Sequence, residues 1–136
     1  MKIDIIVGAR PNFIKVAPLI HALKTNKLSK SKHSLRLIHT GQHYDRSMSE
    51  KFFQDLNIPK PNYNLNCRSG THAYQVGKIM YEYEKILRQK SCDLCIVVGD
   101  VNSTMACSVA AKKLNIKVAH IEAGLRSRDL SMPEEI

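Results

Sequence analysis

Short polar stretches of this chain carry the side chains that could do chemistry. Gly8-Ala9-Arg10-Pro11-Asn12 sets an arginine in a glycine turn, with Lys15 close behind it. If a helix starts there, its first N–H groups have no intrahelical partner and its dipole favours negative charge. Together with Arg10 and Lys15, that is a site for an anionic group such as phosphate. Gly99-Asp100-Val101-Asn102-Ser103-Thr104 and Glu122-Ala123-Gly124-Leu125-Arg126 supply carboxylates, and Gly41-Gln42-His43-Tyr44 supplies an amide and an imidazole. Carboxylates beside a phosphate leaving group suit acid–base work or stabilisation of a cationic sugar transition state. Simpler roles stand beside these. Asp100 can cap a helix, Glu122 can pair with Arg126 or Arg128, and His43 can be an ordinary loop histidine.

These stretches matter together because each follows a segment that reads as a strand. Lys2–Val7, Leu35–Thr40, Leu94–Val98 and Lys117–Ile121 are β-rich or continuously apolar, the pattern of strands buried on both faces of a parallel sheet. Helical patterns lie between them at Phe13–Leu23, Asp45–Leu56, Thr71–Gln89 and Ser103–Leu114, with a short extended piece near Asn62–Leu65. Pro18 predicts a break near Ala17 and a second helix starting at the proline. Asn57-Ile58-Pro59 predicts a helix stop, and Asn102 or Ser103 an N-cap. Alternating strands and helices predict an α/β fold: a doubly wound parallel sheet with right-handed crossovers. In such sheets ligands bind beyond the carboxyl ends of the strands, where all the polar stretches fall.

Composition narrows the function classes. The 136 residues suffice for one domain, and 43% hydrophobic with 24% charged residues is ordinary for a globular chain. No apolar run approaches the roughly 20 residues that cross a bilayer, and the N-terminus does not read as a signal peptide, so the expected location is the cytoplasm. Net charge of +9 favours acidic partners. However, the densest basic cluster (Lys24, Lys27, Lys30, Lys32) lies in a polar connection with few aromatics, which argues against nucleic acid. Cys92 and Cys95 spell C-x-x-C, yet a strand would send them to opposite faces and no second pair exists. With Cys67 and Cys107 they read as small buried thiols, with no metal expected. His39 and His120 fall inside strands and read as packing residues.

The stretches Val7–Lys15, Thr40–Tyr44, Val98–Thr104, His120–Ser127 and Met132–Ile136 occur in the order seen in the non-hydrolysing UDP-N-acetylglucosamine 2-epimerases, which this chain resembles end to end. The resemblance implies the N-terminal half of a glycosyltransferase-B-type, Rossmann-like two-domain fold, with residues 1–136 as the first domain. It implies interconversion of UDP-N-acetylglucosamine and UDP-N-acetylmannosamine by UDP elimination and re-addition, with no cofactor. By motif, it makes Asp100, Glu122 and Glu134 the catalytic carboxylates, puts Arg10 and Lys15 at the diphosphate and sugar, and sets Gln42 and His43 in a region where some bacterial members bind an activating nucleotide sugar. Asp45 departs from the family there, which argues against that activation. A homodimer is expected, with the Thr71–Gln89 helix as interface. The second domain, with most nucleotide contacts and a further catalytic histidine, would lie outside this chain, so the isolated chain is expected to be inactive. The alternatives are a hydrolysing epimerase that releases N-acetylmannosamine and UDP, or a non-catalytic UDP-sugar-binding module, which would need no carboxylate trio.

Overall fold

The central strands form where apolar residues can be covered on both faces. A computed structural model describes residues 1–25, 33–41, 50–68, 70–132 and 135. In it β1 (Lys2–Val7), β2 (Ser34–His39), β3 (Tyr63–Asn64), β4 (Leu94–Val98) and β5 (Lys117–Ile121) make one parallel sheet in the order β3-β2-β1-β4-β5. Ile3, Ile5, Val7, Leu37, Ile96 and Val98 pack on one face against α1 (Arg10–Thr25) and α2 (Glu50–Asp55). The alternate residues Ile6, Ile38, Cys95 and Val97 pack on the other against α3 (His72–Gln89) and α4 (Asn102–Lys113). This is the doubly wound α/β arrangement expected from the sequence. The strand order turns back between β1 and β4, which opens a crevice at their carboxyl ends.

Helix ends follow from their residues. Thr71 caps α3, its hydroxyl accepting the Tyr74 N–H. Asn57 takes a left-handed φ of 50°, and Ile58 N–H reaches back to the Phe53 carbonyl, so the chain leaves α2 where the sequence predicts. Asn115 and Ile116 end α4 in the same way. Residues 45–49 of the expected second helix lie outside the described residues.

Some expectations fail for local reasons. Helix α1 runs unbroken through Pro18 and starts three residues early, at Arg10. Pro18 is exposed, so the carbonyl it leaves without a donor can turn to water. Neither Asn102 nor Ser103 caps α4: the N-cap is Val101, with no side-chain bond. Asn102 Nδ2 instead donates to Gln75 Oε1 at 2.8 Å, and Ser103 Oγ shares a buried 2.7 Å bond with Thr40 Oγ1. Cys92 sits just before β4, outside its alternation, so it joins Cys95 in one cluster. All four cysteines are free and buried. Burial pushes the thiols up, Cys92 to about 11 and Cys95 to about 12. No helix among the described residues is long and apolar enough to cross a membrane.

One charged pair is built into the core. Asp4 and Arg36 face each other in the β1–β2 register. The guanidinium donates to both carboxylate oxygens at 2.6 and 2.8 Å, and its third nitrogen donates to the Lys90 carbonyl at 2.6 Å. Tyr83 of α3 donates its hydroxyl to Asp4 at 3.0 Å. Burial pulls Arg36 down, but its bonds to Asp4 hold it above the ordinary value. Removing one partner leaves a buried charge without compensation. Asp4→Asn should therefore lower stability by about 3 kcal/mol, and Tyr83→Phe by about 1 kcal/mol, in urea denaturation.

His39 is buried at the end of β2, tilted against Phe13 with 5.4 Å between ring centres. Burial lowers its pKa below 6.5, opposed by a hydrogen bond with the Gly8 backbone. As pH falls, the unfolded chain takes a proton at this residue before the folded chain does, so stability is lost below about pH 6.5. The melting temperature of His39→Asn should therefore fall less between pH 7 and 5 than that of the unchanged chain.

Candidate functional site

The site begins at the β1–α1 turn. Ala9 stands at the N-cap of α1 and has no side-chain acceptor to offer. Asn12, in the first helical turn, reaches back instead: its Oδ1 accepts from Gly8 N–H at 3.0 Å and Ala9 N–H at 2.9 Å. This is the returning half of a capping box, with an amide in the place of the usual Glu or Gln. The turn is therefore closed by its own side chain, unlike the open amide cradle suggested by the sequence. Asn12 is buried, and was missed because the helix was expected to begin at Phe13. A polar residue four positions after the turn glycine was the available signal.

Arg10 and Lys15 leave this helix toward different partners. The Arg10 guanidinium lies over the Phe52 ring of α2, 5.0 Å from its centre. Lys15 Nζ forms an ion pair with Glu122, just beyond β5. As a simpler role, the sequence offers Arg126 or Arg128 as partners of Glu122. The sheet order instead brings it across β4 to α1. Lys15 and Glu122 side chains are 41% and 29% exposed, so the pair is reachable by a ligand and contributes only about 0.2–1 kcal/mol to the fold.

Glu122 is unusual in its backbone. Among the described residues with positive φ, Asn57, Asn66 and Asn115 are of the type that tolerates it, whereas Glu122 (φ 60°) and Arg128 (φ 60°) are not. A non-glycine residue held there costs on the order of 1 kcal/mol, and such residues cluster at functional sites. Gly99, at the exit of β4, has φ 68°. A Cβ there would lie 3.8 Å from Glu122 Oε2 and 3.9 Å from Asn12 Nδ2, so Gly99 is where the carboxylate and the amide converge. The Gly99 carbonyl accepts a 2.6 Å bond from His120 Nε2–H. His120 is thus exposed at the site rather than packed inside, a correction to the sequence reading.

Asp100 and Glu122 line one cleft of about 460 Å³ with Gly99, Thr104, His120 and Arg126. A neighbouring hollow of about 250 Å³ joins Asp100 and Arg126 to Ser127, Met132 and Glu135. Glu135 accepts from Ser127 N–H at 2.8 Å, which holds its carboxyl below the usual range and folds the tail back beside Asp100. Gln42, His43 and Glu134 lie outside the described residues. No group of three or more potential metal ligands occurs among the described residues.

Gly99→Ala tests the backbone requirement. Its Cβ would meet only ordinary contacts, so the expected loss of about 1 kcal/mol in chemical denaturation comes from the left-handed conformation.

Comparison with known proteins places this geometry. The family model described as UDP-N-acetylglucosamine 2-epimerase matches residues 26–136. A UDP-N-acetylglucosamine 2-epimerase homolog from Methanococcus maripaludis is 53% identical over the whole chain, which covers 36% of that protein. A UDP-2,3-diacetamido-2,3-dideoxy-D-glucuronate 2-epimerase from Pseudomonas aeruginosa is 46% identical, again over the whole chain and 37% of the relative. Among solved structures, the Methanocaldococcus jannaschii UDP-GlcNAc 2-epimerase, in complex with UDP-GlcNAc and UDP, superposes with a TM-score of 0.89 at 49% identity, over 99% of this chain and 36% of that one. The chain thus spans about a third of the length of the relatives it matches.

Proposed function

The chain belongs to the UDP-N-acetylglucosamine 2-epimerase family, and from that premise we propose that residues 1–136 form the N-terminal Rossmann-like domain of an enzyme that inverts C-2 of UDP-N-acetylglucosamine. The observation that carries this reading is Glu122: a carboxylate on a left-handed residue, paired with Lys15 at a cleft it shares with Asp100.

The chemistry asks for this set. The C-2 hydrogen of the sugar is not acidic, so the C-1–oxygen bond to UDP must weaken before or while the proton leaves. A carboxylate takes the proton, the C–H pair becomes the C-1–C-2 double bond, and UDP departs with the C–O pair. Protonation of the opposite face and return of the UDP oxygen to C-1 give the manno epimer. Asp100, Glu122 and Glu134 supply the base and stabilise the positive charge on the ring, while Arg10 and Lys15 stabilise the departing diphosphate. The ion pair with Glu122 keeps Lys15 at the cleft before substrate arrives. An incoming diphosphate competes for Lys15 and releases Glu122 for the proton.

A second substrate is favoured by Arg126, which lines both hollows. The Pseudomonas aeruginosa relative is named for a glucuronate, and a sugar carboxylate would suit such a cation. We further propose a homodimer through α3, where Tyr74 and Tyr81 are exposed with Lys78 and Lys85 over their rings, and a cytoplasmic location.

Assayed in the protein that carries this segment, Glu122→Gln and Asp100→Asn should each lower kcat by about 100-fold or more while UDP affinity changes less than about threefold. Full turnover in both variants would contradict the assignment. NMR of the products distinguishes UDP-N-acetylmannosamine from free N-acetylmannosamine, and so epimerisation from hydrolysis.

A further inference from the structure

The β1–α1 turn is built differently from the open amide cradle its sequence suggests. Of residues 8–12, Gly8 and Ala9 give their N–H groups to Asn12 Oδ1, Pro11 has none, and Asn12 N–H bonds the Ala9 carbonyl at 3.0 Å. Four of the five positions therefore have no open amide with which to cradle a phosphate. Asn12 is buried, and its Nδ2 faces the Gly99–Glu122 side of the crevice.

We propose that Asn12 is a positioning residue that closes the turn and fixes the first turn of α1, so that anion recognition here rests on the side-chain cations Arg10 and Lys15 and not on backbone amides. The proposal builds on the diphosphate reading of the site. The neutral side chain matters as well as its shape. One end accepts two N–H groups, and the other places an amide, not a second carboxylate, beside Glu122. Lys15, one helical turn from Asn12, is then left to Glu122 or to the ligand, with no third anion competing for it.

The ¹⁵N-labelled chain tests this by NMR. Asn12→Ala should speed amide exchange at Gly8 and Ala9 by about tenfold, with the amides of β1 as the control for folding. Asn12→Asp keeps the accepting oxygen and should keep the protection. Asn12→Ser, whose hydroxyl is too short to reach both amides, serves if the alanine variant does not fold, and should lose it. Titration with inorganic pyrophosphate should move the Arg10 Nε and Lys15 Nζ signals more than the Gly8 and Ala9 amides. Unchanged exchange in Asn12→Ala, loss of protection in Asn12→Asp, or larger shifts at the two amides than at the cations would overturn the proposal. If pyrophosphate moves neither set, the diphosphate reading of the site fails, and the exchange data alone decide the clamp.

Discussion

The buried Asp4–Arg36 pair sets the frame on which everything else hangs. Two charges inside a core are expensive, and their attraction offsets the cost only in good geometry with the remaining bonds made. Here the fork of Arg36 meets both oxygens of Asp4, Tyr83 takes a further position on the carboxylate, and the Lys90 carbonyl accepts from the third guanidinium nitrogen. A slip of one residue in β1 would turn Asp4 to the face of Phe13 and Ile20, where no cation waits. The pair thus selects one register for β1 against β2 and one seating for α3. That register decides which residues emerge at the carboxyl ends of the strands, about 10 Å away along β1.

From this frame the site follows by topology. Because β4 lies between β1 and β5, the exits of the three strands converge, and residues far apart in sequence meet there: Lys15 with Glu122, Gly99 between Asn12 and Glu122. The strained backbone of Glu122 sits at the crevice beside Gly99, while the core beneath is well paired. Stability is concentrated at one end of the sheet, and conformations that cost stability are concentrated at the other, where a ligand would bind. The buried Thr40–Ser103 bond ties the exit of β2 to the start of α4 between these two regions.

Much of the fold was readable because β1, β2 and β4 are buried on both faces. β1, β4 and β5 have the expected bounds, since each apolar-rich, β-prone segment ends abruptly at Gly8, Gly99 or Glu122. The stop at Asn57 was readable because asparagine tolerates the left-handed turn. Pro18 misled because its effect depends on exposure, which the sequence does not state. The caps of α4 misled because Asn102 and Ser103 have partners in α3 and after β2 that no local pattern shows. In the site, residue types were readable and partners were not. Glu122 has arginines nearby in sequence, yet folding gives it a lysine 107 positions away. Asn12 escaped notice because its role depends on a helix start displaced by three residues.

We propose that Glu122 belongs to a set of carboxylates that moves the proton on C-2 of a nucleotide sugar. Turnover in D2O by the protein that carries this segment tests it most directly. Solvent deuterium should enter C-2 of the epimerised sugar, and Glu122→Gln should stop the incorporation. Epimerised product that retains its original C-2 hydrogen, or equal incorporation by the variant, would contradict it.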